Sequence, residues 1–237
     1  MNVLLINANN TNTTFALANR DRILSRKVVP TAKLVSIPFR GRYKKAVLAS
    51  VVPKATAELR RCMTVPCINV KAEVDLGIGI RYPRPRQIGA DRLANAVGVA
   101  ELYGAPAIVV DFGTAVTFDI VNARREYIGG VIAPGLAAVT DYLYQRTALL
   151  PRITLAEPRS AVGKSTVEAM RVGAVVGYRG LVKEILAALR REPGMRGAVV
   201  VATGGYGELM ARKISEIHYV NPMLTLEGLR FIYVRNS

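Results

Sequence analysis

The chain has 237 residues, of which 51% are hydrophobic and 21% are charged, and its formal net charge is +16. This apolar composition excludes an intrinsically disordered protein, and the length allows one large domain or two small ones. No apolar run reaches the roughly 18 residues of a membrane span, and the first ten residues do not resemble a signal peptide. We therefore expect a cytoplasmic protein that does not enter a membrane.

The positive charge is concentrated near the start of the chain. Nine Lys or Arg residues and a single acid, Asp21, lie between Arg20 and Lys45. Such a cluster fits either a polyanion-binding face or a solvated surface that attracts anionic substrates. The segment is poor in aromatic residues and has no helix-turn-helix, RNP or zinc-finger pattern. We therefore favour the solvated surface and do not expect nucleic acid to be the main partner.

Cysteine and histidine are too scarce to carry the chemistry. Cys62 and Cys67 are the only cysteines, their C-x4-C spacing has no matching second pair, and His218 is the only histidine. Neither a zinc site nor a disulfide framework is indicated. Catalysis must therefore depend on carboxylates, hydroxyls, backbone amides and arginines.

The first predicted elements surround a polar turn rich in Asn and Thr, from Asn7 to Asn12. These residue types tolerate turn conformations and offer amide and hydroxyl donors, although the tip of a plain hairpin has the same composition. The elements predicted in this part of the chain are strands over residues 2–6, 13–18, 23–29 and 46–52, followed by a helix over residues 53–61.

A helix is predicted over residues 89–103, because Leu93, Ala96, Val97 and Ala100 recur on one face. Asp91 and Arg92 then lie in its first turn, where they can face a cleft while the apolar face packs inward. An acid at this position also suits a simple helix cap.

The stretch from Tyr103 to Asp119 reads as a buried strand, a glycine turn and a second strand. The run Ala107 to Val110 is typical of a central strand, and it ends on Asp111, which is followed by Gly113 and Thr114. Glycine lets the backbone approach a ligand, a hydroxyl can donate to phosphate and an acid can hold a cation. The turn therefore fits nucleotide binding, and the alternative is a hairpin with a solvated Asp.

Strand and helix continue to alternate towards the C-terminus. Gly173, Gly177 and Gly180 interrupt the longest predicted helix and indicate close helix packing. Because the strand-turn pattern occurs twice, we expect an α/β fold of two similar halves facing each other across a cleft, with a boundary near Gly104. The remaining predicted elements are strands over 127–134 and 197–203, helices over about 136–144 and 166–191, and a loop through Pro151 and Pro158.

Seven ordered segments carry a resemblance to a known family: IGADRLANA, VVDFGTAVTFD, GGVIAPGL, TALLP, GKSTVEAMRVG, VATGG and LTLEGL. In this order and spacing the chain resembles the type III pantothenate kinases over essentially its whole length. The resemblance implies two RNase-H-like (actin-like ATPase) halves, 1–104 and 105–237, around a nucleotide-binding cleft. It also implies phosphorylation of pantothenate by ATP to 4'-phosphopantothenate, the first step of coenzyme A synthesis.

The resemblance assigns roles to particular residues. It implies that Asp91 is the proton acceptor, that Asp111 binds a monovalent cation, K⁺ or NH₄⁺, and that ATP is used with Mg²⁺ by a homodimer. The implied pantothenate-binding residues are Tyr82, Gly89, Ala90, Asp91, Arg92 and Thr166. The implied ATP-binding residues are Asn7, Ala8, Asn9, Asn10, Thr11, Asn12, Thr13, Thr14, Thr114, Gly204 and Gly205.

The chain departs from the family in its first turn, where the family pattern D-x-G-N-T-N is replaced by N-A-N-N-T-N. Asn7 stands where an acid manages magnesium and phosphate, and Asn9 stands where glycine permits a left-handed backbone. Another acid such as Asp119 is one candidate for the missing charge. Two functions follow as alternatives: an active or weakened pantothenate kinase, or a kinase-fold protein that binds ligands and serves as a regulatory module.

Overall fold

The computed structural model describes residues 1–39 and 41–237. The strands are β1 (Val3–Ala8), β2 (Asn12–Ala18), β3 (Ile23–Pro30), β4 (Lys45–Ser50), β5 (Cys67–Asn69), β6 (Gly79–Ile80), β7 (Ala107–Phe112), β8 (Ala115–Val121), β9 (Glu126–Pro134), β10 (Val199–Thr203) and β11 (Tyr219–Val220). The helices are α1 (Pro53–Cys62), α2 (Ala90–Leu102), α3 (Leu136–Arg146), α4 (Thr166–Arg191), α5 (Gly207–Ala211) and α6 (Leu224–Arg235).

The chain forms two compact units. The first contains residues 1–105, 119–129 and 223–237, and the second contains residues 106–118 and 130–222. The boundary after Ala105 lies next to the predicted one, but the chain then returns to the first unit twice. The predicted halves 1–104 and 105–237 describe a repeated topology, which this division does not test, so they stay a prediction.

The first unit is built on a five-stranded sheet of order β3-β2-β1-β4-β5. Its central strand β1 is buried throughout, pairs antiparallel with β2 and parallel with β4, and places Asn7 opposite Thr14 and Ala8 opposite Ser50. The predicted strand over 46–52 ends earlier, at Ser50, because α1 begins at Pro53 and Val52 occupies the N-cap position of that helix. The carboxyl ends of β1 and β4 therefore meet at one edge of the sheet.

Residues 93–100 of helix α2 are buried on all sides, so the prediction of an amphipathic helix with one apolar face was wrong. The reason is α6, which packs against it where two glycines remove side-chain bulk. A Cβ atom on Gly98 would lie 2.6 Å from the carbonyl oxygen of Leu224, and one on Gly228 would overlap the carbonyl of Ala94. Only glycine permits α2 and α6 to approach this closely. This explains the glycine of the LTLEGL segment, and the contact fixes the position of α2.

The second sheet has the order β11-β10-β7-β8-β9-β6, and the chain leaves the second unit within β8 and returns to it within β9. In the second unit β10 pairs parallel with β7 and places Thr203 opposite Asp111. Strand β10 begins at Val199 rather than at the predicted Gly197, because the N–H of Ala198 closes a turn onto the carbonyl of Met195. Strand β7 extends to Phe112, so Asp111 lies inside the strand and not in the turn that follows it.

Helix α4 has its predicted bounds, but its three glycines do not pack closely within the chain. Gly173, Gly177 and Gly180 are exposed, and a Cβ atom on any of them would meet nothing within 4 Å. The prediction of close packing against another part of the same chain was therefore wrong. No helix in residues 1–39 and 41–237 has both the length and the apolar character needed to cross a membrane.

Candidate functional site

The polar turn between β1 and β2 is held in one shape by a threonine that the sequence reading missed. The N–H of Asn9 bonds to the carbonyl of Asn12 at 3.0 Å. The hydroxyl of Thr31 donates to the carbonyl of Asn9 at 2.6 Å, and the N–H of Thr31 bonds to the carbonyl of Thr11 at 2.9 Å. The Thr31 hydroxyl also lies 2.9 Å from that of Thr13. The turn is thus preorganised without a ligand.

Two amide oxygens at the end of β1 and in the turn that follows it are buried and make no hydrogen bond within the protein, the Oδ1 atoms of Asn7 and Asn9, so Asn7 lies in the strand and not in the predicted turn. A buried acceptor without a donor is costly, so these oxygens suit a ligand or hydrated cation that supplies donors or positive charge. The only non-glycine residues with a left-handed backbone in the described chain are Phe39 and Arg125. Asn9 therefore occupies its position without the backbone strain that a glycine would relieve.

Asp91 lies in the first turn of α2, close to the carboxyl end of β1. Its Oδ1 accepts the N–H of Arg92 at 2.8 Å, and a Cβ atom on Gly89 would lie 2.6 Å from the same oxygen. That Cβ would also lie 3.4 Å from Val51, whose N–H bonds to the carbonyl of Ala8 at 3.1 Å. The start of α2 therefore lies close to Val51 and to the end of β1.

Burial raises the pKa of the Asp91 carboxyl above its usual value, although the N–H and the positive charge of Arg92 oppose this effect. A carboxylate with a raised pKa is a better proton acceptor than an ordinary one, because its affinity for a proton is higher. The side chain remains partly exposed. Asp91 therefore has both the access and the basicity that proton transfer requires.

Arg92 is surrounded by a cluster of buried groups. Its Nε donates to Oδ1 of Asp119 at 2.6 Å, and its guanidinium lies 5.8 Å from the ring centroid of Tyr127. The ring of Tyr82 meets that of Tyr127 edge to face, with centroids 6.2 Å apart. A Cβ atom on Gly129, whose φ is +131°, would lie 3.7 Å from the Tyr82 ring. Arg92 and Tyr82, two of the residues that the resemblance assigns to pantothenate, therefore both contact Tyr127.

Asp119 is not available to supply the charge that is missing at position 7. The residue is fully buried and bonds to Arg92, so its charge is already matched by a neighbouring cation. Burial and the Asp119 charge raise the pKa of the Tyr127 hydroxyl, which therefore keeps its proton. An acid at the end of the apolar strand β8 was the signal that could have identified this pair from the sequence.

The other predicted residues lie in the second unit. Gly204 has a φ of +84°, and a Cβ atom there would lie 2.5 Å from Oδ1 of Asp111 and 2.6 Å from the carbonyl carbon of Phe112. Both the backbone conformation and the close approach require glycine. Gly205 is exposed with open space beside it, and Thr114 is exposed in the turn after β7. The structure thus brings Asp111 and Gly204 together.

Thr166 is exposed in the first turn of α4. Ser165 caps this helix by accepting the N–H of Glu168 at 3.2 Å, and the Glu168 carboxylate accepts the N–H of Lys164 at 2.8 Å. In the part of the chain that the structure describes, no three His, Cys, Asp or Glu side chains converge on a point that could hold a metal ion. A cation at Asp111 would therefore depend on one carboxylate together with carbonyl or water oxygens.

The comparisons with known proteins identify a family. The family model described as Type III pantothenate kinase matches residues 3–188. The chain is 53% identical to a type III pantothenate kinase of Akkermansia muciniphila, with 97% of both chains covered. It is 40% identical to that of Methylacidiphilum infernorum, over 97% of this chain and 87% of the relative.

Among solved structures, a Baf family protein from Campylobacter jejuni is similar with a TM-score of 0.66 at 20% identity, over 98% of each chain. The activator of 2-hydroxyisocaproyl-CoA dehydratase from Clostridium difficile, solved with bound ADPNP, has a TM-score of 0.57 at 12% identity, over 100% of this chain and 95% of that one. At these identities the likeness concerns the fold alone. The predicted α/β fold of the actin-like ATPase class is confirmed.

Proposed function

The chain belongs to the type III pantothenate kinase family, and we propose that Asp91 is the base in its transfer of a phosphoryl group from ATP to pantothenate. The bond from the pantothenate alcohol oxygen to the γ-phosphorus forms while the bond from that phosphorus to the β-γ bridging oxygen breaks. ADP leaves, and the alcohol proton passes to Asp91. The product is 4'-phosphopantothenate, which enters coenzyme A synthesis.

The observation that carries this proposal is the position of Asp91 beside a preorganised phosphate turn. Gly89, which precedes α2, lies beside Val51, and the N–H of Val51 bonds to Ala8 at the end of β1, so Asp91 and the turn at Asn9 lie at the same edge of the sheet. Phosphoryl transfer depends mainly on positioning and charge neutralisation, with a base for the alcohol proton. The raised pKa of Asp91 suits the base role.

Arg92 suits the substrate, because pantothenate carries a carboxylate and a guanidinium binds carboxylates with directed hydrogen bonds. Tyr82 adds an aromatic surface for the apolar part of the same molecule. Both side chains belong to the cluster around Tyr127. We assign this cluster to pantothenate and the turn from Asn7 to Thr14 to the ATP phosphates.

The unpartnered amide oxygens of Asn7 and Asn9 fit a hydrated Mg²⁺ that accompanies ATP, since the water ligands of the ion can donate to them. Magnesium supplies charge neutralisation at the phosphates when it is bound. The N–H groups of the turn would receive phosphate oxygens. Thr114, Gly204 and Gly205 are assigned to ATP, and Asp111 is assigned to a monovalent cation.

A binding module without turnover is the second candidate, because an amide at position 7 carries no charge. The 40–53% identity to type III pantothenate kinases over almost the whole chain favours the kinase. A coupled assay of ADP release, with and without pantothenate, separates the two. ADP release that requires pantothenate supports the kinase, and ATP binding without pantothenate-dependent release supports the module.

The cation assignment predicts that activity depends on the identity of the monovalent ion. At fixed ionic strength, we expect K⁺ or NH₄⁺ to raise the rate above that in Na⁺, since oxygen ligands discriminate cations by size. Ionic strength must be constant because a protein of charge +16 responds to salt through screening alone. Asp111→Asn should abolish the difference between the salts. Identical titration curves for the wild type in all three salts would contradict the role of Asp111.

The homodimer is proposed from the exposed face of α4. Gly173, Val176, Gly177 and Gly180 form a stripe on this helix with open space above each glycine. Small residues at such spacing allow two helix backbones to approach closely, and a second copy supplies an equivalent helix. We place the dimer in the cytoplasm, where coenzyme A synthesis starts.

Gly177→Leu is expected to convert the dimer to a monomer in light scattering coupled to size exclusion. A Cβ atom at this exposed position meets nothing within 4 Å in its own chain, so the fold should be kept. Gly197→Leu is the matched control, because Gly197 is also exposed with open space but lies outside α4. A dimer that survives Gly177→Leu, or a wild-type monomer, would argue against this interface.

A further inference from the structure

Asp119 is a buried acid to which the resemblance assigns no role. It lies near the end of β8, between Phe118 and Ile120, and none of its surface is exposed. Burying a carboxylate costs several kcal/mol unless a cation and hydrogen-bond donors compensate for the lost water. A protein that needed only a stable core would gain more from an apolar side chain here. The contacts of the Asp119 carboxylate must therefore account for a charge at this buried position.

The contacts of Asp119 lead to the pantothenate cluster. Its Oδ1 accepts the Nε–H of Arg92 at 2.6 Å, the short distance of a charge-assisted hydrogen bond. The hydroxyl of Tyr127 lies 3.5 Å from the same oxygen, and Nδ2 of Asn95 lies 3.5 Å from Oδ2. The Tyr127 ring also lies beneath the guanidinium. Asp119 and Tyr127 thus restrict Arg92 from two directions.

The position of Asp119 is tied in turn to α6. The hydroxyl of Thr225 donates to Oδ1 of Asn95 at 2.7 Å, and both residues are buried. This bond leaves the Nδ2 side of the Asn95 amide directed towards Asp119. A chain of polar contacts therefore runs from α6 through α2 to β8 and ends on Arg92.

We propose that Asp119 is a positioning residue that holds Arg92 in the orientation in which it recognises the carboxylate of pantothenate. The inference rests on the proposed function, because it assigns to Arg92 the anionic end of that substrate. Arginine has many rotamers, and ordering it in advance removes an entropic cost from substrate binding. Asp119 does not touch the reacting atoms, so its influence falls on pantothenate binding rather than on phosphoryl transfer.

Asp119→Asn is the first test, because it keeps the shape of the side chain and removes its charge. We expect the KM for pantothenate to rise by about tenfold or more, since hydrogen bonds to charged groups are the strong ones. The KM for ATP should not change, and kcat should change less than the pantothenate KM. The variant should also discriminate less between pantothenate and its alcohol analogue, in which CH₂OH replaces the carboxylate. Equal changes in both KM values would overturn the proposal.

A double-mutant cycle with Arg92→Met tests whether Asp119 acts through Arg92. In the Arg92→Met background, Asp119→Asn should leave the pantothenate KM unchanged and should raise thermal stability, because it removes a buried carboxylate that has lost its cation. An equal increase of KM in both backgrounds would show that Asp119 acts independently of Arg92 and would overturn the proposal.

Two further variants guard against a general loss of structure. Thr225→Val removes only the hydroxyl that orients Asn95, and it should raise the pantothenate KM in the same direction but less than Asp119→Asn. Glu227→Gln is the matched control, since Glu227 pairs with a buried arginine, Arg230, at the same distance of 2.6 Å in the same unit. It should not change the selectivity for the carboxylate.

The outcome for the wild type separates this inference from the proposed function. A wild type without pantothenate-dependent turnover would overturn the function itself. Wild-type turnover together with an unchanged pantothenate KM in both Asp119→Asn and Thr225→Val would overturn only the positioning role of Asp119.

Discussion

Asp91→Asn is expected to lower turnover by about 10²- to 10⁴-fold, the usual contribution of a general base. The amide cannot accept the alcohol proton, whereas the groups assigned to the ATP phosphates are untouched. ATP affinity, measured by calorimetry, should therefore stay nearly unchanged. A variant that keeps most of the wild-type rate would remove the base role from Asp91.

The same change is expected to raise stability at neutral pH. Because burial raises the pKa of Asp91, the folded state binds its proton more tightly than the unfolded state does. Ionisation therefore costs stability as the pH rises from the ordinary carboxyl value of about 4 through the raised value, and the cost persists at neutral pH. Asp91→Asn avoids this cost, so its advantage in Tm should be largest at neutral pH and should shrink below about pH 4.

Asp21→Asn is the control for both measurements, because Asp21 is an exposed acid in the same unit. It should change neither the rate nor the Tm at neutral pH. The rate of the wild type should also decrease on acidification at a pH above the ordinary carboxyl value, as Asp91 takes up its proton. A Tm advantage of Asp91→Asn that does not depend on pH would contradict the assigned cause.

Asn7→Asp is expected to raise kcat, by up to about a hundredfold if the missing charge limits the rate. One preorganised electrostatic contact contributes about 3 kcal/mol in other enzymes. The KM values should change less than kcat. If the wild type already turns over at about 1–100 per second and Asn7→Asp brings no increase, another group replaces the missing acid.

The gain in rate should come with a loss of stability in the absence of ligands. Residue 7 is buried and its Oδ1 has no partner, so a carboxylate there would be desolvated without compensation. Asn7→Asp should therefore lower Tm without nucleotide, and MgATP should raise the Tm of this variant more than that of the wild type. Asn19→Asp is the control, because Oδ1 of Asn19 already accepts two N–H groups, those of Asp21 and Arg22.

The structure also limits what the second departure from the family pattern can contribute. Asn9 has no left-handed backbone, so adding Asn9→Gly relieves no strain. A glycine there gains freedom in the unfolded state, which lowers stability by about 0.4–1 kcal/mol. The double variant should therefore be less stable than Asn7→Asp. A large further gain in rate would mean that the side chain of Asn9 itself obstructs the phosphates, because the two positions are close enough to couple.

The sequence predicted the elements whose signals are local. The strand at Ala107 follows from its β-branched run, the start of α1 follows from Pro53, and α4 has the bounds that were predicted for it. The resemblance also named Arg92 and Tyr82, which the structure brings into one cluster. The strand and the helices, unlike this cluster, depend on residues that are neighbours in the chain.

What the sequence did not predict depends on residues far apart in the chain. The burial of residues 93–100 of α2 on all sides depends on α6, and 130 residues separate Asn95 from its partner Thr225. The pairing of Arg92 with Asp119 spans 27 residues and two elements. The hydrogen bond from Thr31 to the turn between β1 and β2 was not predicted either, because a threonine outside the motif carries no signal of its own.

The return of α6 to the first unit has a consequence for the order in which the protein is made. Ribosomes release the chain from the N-terminus, so β1, β4 and α2 emerge long before the helix that covers α2. Until Gly228 has emerged, the apolar surface around Gly98 has no native partner, and the unit that contains Asp91 cannot close. The central part of the second unit, from Gly130 to Pro222, is by contrast one continuous segment and is complete earlier. The emergence of α6 therefore decides when the proposed catalytic base reaches its working position.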